Sequence, residues 1–154
     1  MNIFVLDTDT KKCAEYHNNA HCIKMILESA QILCGVHWVL GKEAPYKLSH
    51  KNHPCSIWAR ECIENYIWLT DLGIELCNEY TYRYKKRHKT QDIIEWCVMN
   101  QPNLHNNGDL TPFALAMPDE YKTSDVIESY RNYYRGAKRS FCKWKDREAP
   151  EWFF

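Results

Sequence analysis

The chain has 154 residues, of which 45% are apolar, 26% are charged and 14% are aromatic. This composition excludes a disordered chain, and the length suits one domain that spans residues 1–154 and buries a single core. Twenty basic and twenty acidic residues cancel, which excludes a protein whose overall charge drives nonspecific binding to DNA.

The first predicted elements lie in residues 1–54. Residues 3–6 form a short apolar run that is compatible with a strand, and residues 7–10 supply side chains suited to capping a helix. Apolar periodicity then predicts a helix over residues 11–40, with Gly35 as a place where it can break. The polar residues 41–54 predict a loop.

Pro54 suits the first position of the next helix, because its fixed φ matches a helix and its missing N–H needs no partner there. An amphipathic pattern predicts that this helix continues over residues 55–84. Shorter helices are predicted over residues 91–99 and from the capping residue Ser124 to about residue 141. Between them, residues 101–119 predict a loop, and their stretch TPFALAMP suits a pocket wall. The sequence therefore predicts an all-α fold, a single compact helical domain with at most one short N-terminal strand.

Eight cysteines raise the question of a disulfide scaffold, but no pair has CxxC spacing. The first residues lack the basic segment of a signal peptide, and no apolar run is long enough to cross a membrane. Most of the cysteines fall within helical apolar patterns, where a free thiol behaves as a small apolar side chain. These are Cys22, Cys34, Cys62, Cys77 and Cys97. We therefore expect reduced cysteines in a cytoplasmic protein without a membrane partner.

Five polar positions of the first long helix fall on one line, since at about 100° per residue they lie within roughly ±40° of one direction. They are His17, His21, Lys24, Glu28 and Gln31. The rest of this helix from residue 22 onward is almost wholly apolar, which is typical of a buried helix. A buried lysine or glutamate needs partners. The stripe therefore predicts an anion-binding pocket, with an internal Lys24–Glu28 network or a narrow solvent-facing seam as alternatives.

His17 and His21 also have the i,i+4 spacing of a metal-binding pair. Glu28 lies roughly 10 Å further along the helix axis, too far to complete the same coordination shell, and Lys24 would oppose a cation. The candidates for a third ligand are His53, Asp7 and Asp9. We therefore predict no metal and no cofactor, and instead a phosphate or carboxylate held by Lys24 with imidazoles that move a proton.

Two segments interleave basic and aromatic residues. Residues 81–90 read TYRYKKRHKT, with five basic residues and no acid, and the last predicted helix carries basic residues on one face. Such surfaces bind nucleotides or single strands through phosphate contacts and stacking, whereas the alternative is a solvated face over a tyrosine-rich core. In the stretch NHP, His53 would face an anion at a helix N-terminus. The predicted ligand-binding residues are Lys24, Gln31, His53, Arg83, Arg131 and Arg135.

Segments along nearly the whole chain carry a resemblance. They are NIFVLDTD near the start, the helical stretch from Cys13-Ala14 through Tyr16-His17 to Glu28-Ser29-Ala30-Gln31, NHP at 52–54, TPFALAMPDEY, YRNYY at 130–134 and PEW at 150–152. In these segments the chain resembles a family of small, largely uncharacterised proteins encoded by tailed bacteriophages. The resemblance implies a viral gene product in the host bacterial cytoplasm, where such accessory proteins modify DNA bases or nucleotides or disarm host defences. It implies no catalytic residue.

We hypothesise a phage-type enzyme that acts on a phosphorylated pyrimidine, a nucleotide or a modified base in DNA, by a transferase or glycosylase-like step. Lys24, with Arg83 or Arg131, would hold the phosphate, and Glu28 would orient Lys24 or one imidazole. The catalytic candidates are His17, His21 and Glu28. No Walker A, GxGxxG, HExxH or GxSxG motif points to another chemistry.

Two alternatives to this enzyme stay open. The same basic and aromatic groups would serve a non-catalytic binder that sequesters a nucleotide signal or a host protein to counter host defence. A metal-dependent hydrolase is the third hypothesis, and it requires ligands beyond the two histidines of the stripe.

Overall fold

The structure, a computed structural model, describes all residues from 1 to 154. Six α-helices follow one another along the chain and are joined by loops and three short 3-10 turns. They are α1 (Thr10–Tyr16), α2 (Asn19–Val39), α3 (Pro54–Glu61), α4 (Ile63–Tyr84), α5 (Gln91–Met99) and α6 (Val126–Arg135). The predicted all-α class is confirmed. The short strand allowed for residues 3–6 is absent, because the backbone of this buried segment forms no ladder of hydrogen bonds with another segment.

Helix α2 forms the centre of the molecule and packs against α3, α4 and α5. Its length and hydropathy would also suit a membrane span, but 67% of its most apolar window is buried inside the fold, as expected of a core helix. The cysteines predicted for the core are all buried, and all eight cysteines of the chain are free.

The predicted helix over residues 11–40 is wrong in one respect, because it is broken before α2 rather than near Gly35. Asn18 has an extended backbone, and its side-chain oxygen accepts from the N–H of His21 at 2.8 Å. An asparagine in this position satisfies a free N–H at the start of a helix, so it begins a new helix instead of continuing the old one. His17 therefore lies at the end of α1, and the predicted stripe loses its first member.

Two other helix boundaries also differ from the prediction. The helix expected over residues 55–84 breaks at Cys62, whose backbone is extended, and the Asn65 amide donates to the carbonyl of Trp58 at 2.8 Å across the break. The last helix is capped by Asp125 rather than Ser124. It ends at Arg135 and not near residue 141, since only a short 3-10 turn follows.

The first residues of the chain are buried against α2 and α6. Residues 3–6 are at most 4% exposed, and the Phe4 ring stacks on His21 with ring centroids 4.2 Å apart. The same ring lies 5.7 Å from the ring of Tyr134 on α6. This packing holds Met1 and Asn2 against the polar side of α2.

Candidate functional site

A cavity of about 440 Å³ opens beside the polar side of α2. Its walls come from the start of the chain, from α2, from the loop before α3, from residues 115–117 and from α6 with the turn behind it. We call it the Glu28 cavity. The polar and aromatic side chains among its lining residues are Asn2, Phe4, His21, Lys24, Glu28, His53, Tyr133 and Lys138.

Glu28 is the one carboxylate that lines this cavity, and its side chain is only 9% exposed. Its Oε1 accepts from the backbone N–H of Asn2 at 2.9 Å and lies 3.5 Å from the amino nitrogen of Met1. Its Oε2 lies 3.5 Å from Nζ of Lys24, which is 68% exposed. A buried carboxylate is costly unless it is paired and hydrogen-bonded, and here two amines and one amide fulfil that requirement.

His21 forms part of the cavity wall and is 5% exposed. The Tyr134 hydroxyl accepts from the Asn18 N–H at 3.2 Å and lies 2.8 Å from Nδ1 of His21. We assign the hydroxyl proton to this second contact, which places the ring proton of His21 on Nε2. Burial, reinforced by nearby positive charge, lowers the pKa of His21 to about 3. The ring is therefore neutral at physiological pH and donates through Nε2.

His53 lines the opposite side of the cavity and caps α3. Its Nδ1 accepts from the backbone N–H of Cys55 at 3.0 Å, so the ring proton lies on Nε2. Partial burial, together with the positive charge at Met1, lowers the pKa of His53 below its usual value. The ring is therefore neutral and donates a hydrogen bond from Nε2. Its position at the start of α3 is the one that the sequence predicted.

His17 and Arg83 do not reach the Glu28 cavity, which corrects the prediction that they share one site with Glu28. Both side chains are fully buried. His17 Nδ1 lies 2.6 Å from the carbonyl of Cys13, and burial lowers the pKa of His17 to about 4. Arg83 pairs with Glu79 at 2.7 Å within α4. Arg83 and Nδ1 of His17 thus meet partners inside the core, whereas Nε2 of His17 is buried without a hydrogen-bond partner.

Arg131, Arg135 and Gln31 also lie outside the Glu28 cavity. Arg131 donates from Nε to the carbonyl of Leu6 at 3.0 Å, and Arg135 donates to the carbonyl of Trp152 at 2.7 Å and pairs with Glu128. The two guanidinium groups thus attach the chain ends to α6. Gln31 lines a separate shallow groove further along α2.

Several lining residues were missed by the sequence analysis. Met1 and Asn2 lacked any signal of their own, although the apolar run behind them indicated that the start of the chain is buried. Asn2 is fixed by donation from its amide to the carbonyl of Ala116 at 2.8 Å. This contact also places residues 115–117 on the cavity wall, as predicted for the loop. Lys138 adds a cation, with Nζ 4.8 Å from the centre of the Tyr133 ring.

The chemistry of the Glu28 cavity follows from its charges. The amino group of Met1, Lys24 and Lys138 supply three cations around one carboxylate, which favours an anionic ligand. An amine beside a carboxylate is suited to nucleophilic attack, since the carboxylate takes the proton that the amine must lose. Nowhere in the chain do three or more histidine, cysteine, aspartate or glutamate side chains come together in a metal-binding arrangement.

Comparison with known protein families gives a match. The family model described as pyrimidine dimer DNA glycosylase matches residues 1–92, which is 92 of the 154 residues of the chain. The chain belongs to the pyrimidine dimer DNA glycosylase family. No curated protein and no solved structure gives a match.

Family membership confirms the coarser part of the sequence-based hypothesis, an enzyme class that acts on bases in DNA, and with it the expectation of DNA as a partner. The matched region includes Lys24, Glu28 and His53, and it excludes α6 and the residues behind it. The bacteriophage source and the host cytoplasm stay predictions, as do a host-protein partner and the catalytic roles of individual residues.

Proposed function

We propose that the protein is a DNA glycosylase that releases a base of a pyrimidine dimer, and that the Glu28 cavity is its active site. The observation that carries this proposal is the buried carboxylate of Glu28 between two amines, at 3.5 Å from each. These groups lie in the part of the chain that matches the glycosylase family. Cleavage of an N-glycosidic bond develops positive charge on the sugar, which a buried carboxylate stabilises.

The reaction requires a nucleophile at C1′ of the deoxyribose. An unprotonated amine nitrogen, from Met1 or from Lys24, forms a bond to C1′ while the bond from C1′ to the base breaks. The electron pair of the broken bond leaves with the base, and Glu28 accepts the proton that the attacking nitrogen loses. The product is a covalent enzyme–sugar adduct in which the amine has replaced the base. The sugar ring then opens: the nitrogen lone pair forms a C1′–N double bond, the C1′–O4′ bond breaks, and O4′ takes the proton held by Glu28, which leaves an imine.

The neutral histidines of the cavity are suited to hydrogen bonding rather than proton transfer. His53 donates from Nε2 to a carbonyl oxygen of the departing pyrimidine, which stabilises the negative charge that develops there. His21 donates from Nε2 to the sugar–phosphate backbone, where Lys24 and Lys138 supply positive charge. This replaces the acid–base role predicted for His21, because a ring with a pKa of about 3 stays neutral during turnover.

The proposal is tested with a duplex oligonucleotide that carries one pyrimidine dimer. Borohydride is added during turnover, because it reduces an imine between an amine and the sugar to a stable covalent adduct. Peptide mass spectrometry of the adduct then identifies the attached amine. Lys24→Gln is compared with Lys12→Gln, an exposed lysine of α1 outside the cavity.

We expect base release and a trapped adduct on either the peptide that contains Met1 or the peptide that contains Lys24. Base release without an adduct would show that water, and not an amine, is the nucleophile. The protein would still be a glycosylase. Tight binding of dimer DNA without base release would contradict the proposed function and favour the non-catalytic binder.

A further inference from the structure

Two large apolar side chains are exposed on α2 beside the Glu28 cavity. Ile23 is 43% exposed and Leu27 is 40% exposed. Their i,i+4 spacing places them on one face of α2, where side chains so spaced are neighbours. We call this pair the apolar ridge. It is one residue position from the row formed by Lys24 and Glu28, so the two rows run side by side along the same helix.

The ridge is continuous with the Glu28 cavity. Lys24 lines that cavity and also lines a groove of about 460 Å³ that contains Ile23 and Leu27. Leu27 in turn lines a second shallow groove with Lys47 and Leu48. Leu27 thus borders both grooves, and Lys24 is shared by one of them and the Glu28 cavity.

The charge around the ridge indicates which kind of molecule binds there. Both grooves are lined by cations, among them Lys24, Lys86, Lys89 and Lys47, and neither is lined by an aspartate or glutamate. Arg87 also lines one groove, and the two carboxylates that pair with it, Asp92 and Glu95, lie outside both grooves. A surface that places apolar side chains between lysines is complementary to a nucleic acid, which presents phosphates on either side of an apolar base stack.

The lysines on one side of the ridge are held in place by the fold. His88 lies between Lys86 and Lys89 in the chain, and its Nε2 lies 3.1 Å from the carbonyl of Ile23. Its ring also packs edge-on against Tyr80, with centroids 4.7 Å apart. These contacts attach residues 81–90, which we call the basic segment, to α2 directly beside the ridge.

We propose that the apolar ridge inserts into the base stack of duplex DNA next to the dimer and separates the stacked bases there. This inference rests on the proposed function, since it assigns a surface that would deliver the substrate to the Glu28 cavity. Apolar side chains that enter a base step unstack it and kink the duplex. An enzyme that acts on a base in a duplex must first draw the nucleotide out of the stack, and unstacking its neighbour lowers that cost.

The spacing fits this role. Lys24 and Leu27 are i,i+3 on α2, so their Cβ atoms lie about 5–6 Å apart. Stacked bases along one strand are spaced by about 3.4 Å. The ridge therefore lies within one or two base steps of the lysine that borders the cavity.

The inference is tested with Leu27→Ser and Ile23→Ser. Leu27→Met retains an apolar side chain at the ridge, and Met99→Ser removes an exposed apolar side chain from α5, where Met99 is 82% exposed. A duplex that carries a dimer and an adjacent 2-aminopurine reports unstacking through increased fluorescence, and anisotropy of a separate end label reports binding. Base release is measured on the same sequence as a duplex and as a single strand.

We expect both serine variants to bind the duplex but to lose the fluorescence increase, and to release base from the duplex roughly tenfold to hundredfold more slowly than wild type. Their rates on the single strand should equal those of wild type, because no stack has to be opened there. Leu27→Met and Met99→Ser should match wild type on both substrates.

If both serine variants keep the wild-type fluorescence increase and the wild-type ratio of duplex to single-strand rates, the ridge inference is overturned and the proposed function stays intact. A wild-type protein that releases no base from either substrate would instead overturn the proposed function, and with it the inference that depends on it.

Discussion

Glu28 illustrates how burial gives a single side chain its chemistry. The chain has twenty acidic residues, and an exposed carboxylate among them would be screened by water. The carboxylate of Glu28 is instead shielded from solvent and contacts Met1, Asn2 and Lys24. A charge in such a place acts on a developing opposite charge without solvent screening. At the scale of one residue, the proposed activity therefore depends on this carboxylate more than on any imidazole.

Glu28→Gln should lower kcat for base release from dimer DNA by roughly 10²–10³-fold, the usual effect of removing one preorganised charge from an active site. Binding of the same DNA should persist, because the lysines that face phosphate are unchanged. Single-turnover kinetics and an anisotropy titration measure the two effects. Glu61→Gln, at an exposed position of α3, is the matched control, and an equal loss of rate in both variants would contradict the assignment.

His17 gives a prediction for stability at acid pH. Burial lowers the pKa of His17 to about 4, from its usual 6.5, and its Nε2 has no hydrogen-bond partner. Below about pH 6.5 the unfolded chain binds a proton that the folded chain rejects, so the free energy of unfolding should fall by up to about 1.4 kcal/mol per pH unit from this group. The loss continues until the pH reaches the folded pKa.

Urea unfolding at pH 7, 6 and 5 measures this dependence. His17→Gln should show a smaller decrease in the free energy of unfolding between pH 7 and 5 than wild type. His105→Gln, at an exposed position, should retain the wild-type dependence. Identical pH dependence in all three proteins would contradict a neutral buried ring at position 17.

At the scale of elements, an ion cluster anchors the basic segment and the C-terminal residues to the helices. Arg83 donates from Nε to Oε2 of Glu79 at 2.7 Å, and Arg147 donates from Nη2 to Oε1 of the same carboxylate at 2.9 Å. Arg83 also donates to the carbonyl of Glu15 at the end of α1 and to the side chain of Asn19 at the start of α2. One buried carboxylate thus joins α4, the α1–α2 break and the end of the chain.

Glu79→Gln should lower the free energy of unfolding by about 3–5 kcal/mol, because it leaves fully buried Arg83 without a negative charge to offset its own. Arg87→Gln is the contrasting change, since it removes an exposed guanidinium that pairs with Asp92 and Glu95. That change should have a much smaller effect, because exposed ion pairs contribute little to stability. Urea denaturation of both variants at one pH measures the difference, and comparable losses would argue against a structural role for the cluster.

At the scale of the whole molecule, a net charge of zero does not describe the surface that DNA would meet. Residues 81–90 carry five basic residues and no acid, and the two grooves beside the apolar ridge are lined by lysines and by no carboxylate. Counterion release depends on the number of phosphates contacted locally and not on the net charge. Salt dependence of binding therefore distinguishes a local DNA-binding surface from overall attraction.

The double variant Lys86→Gln with Lys89→Gln should reduce the slope of log K against log salt concentration by about 2, since each phosphate contact contributes about 0.9. Lys11→Gln with Lys12→Gln removes the same total charge from exposed positions on α1 and should leave the slope unchanged. Equal changes in both double variants would show that net charge, and not the groove beside the ridge, governs binding.

The sequence by itself determined the helical class, the helix α5 over residues 91–99, the burial of the cysteines and the polar row of His21, Lys24 and Glu28. These features depend on periodicity and composition, which are local properties of the chain. It also indicated a glycosylase-like step among the possible reactions, and the family match supports that class.

Only the tertiary structure decided which polar residues meet. The break at Asn18 separated His17 from the stripe, because a side-chain hydrogen bond competes with helix continuation and periodicity does not register it. The basic residue Arg83 was directed inward by Glu79, whose carboxylate also binds Arg147, 68 positions further along the chain. Met1 and Asn2 joined Glu28 because the apolar residues behind them are buried, and contacts between distant segments are determined by packing of the whole chain.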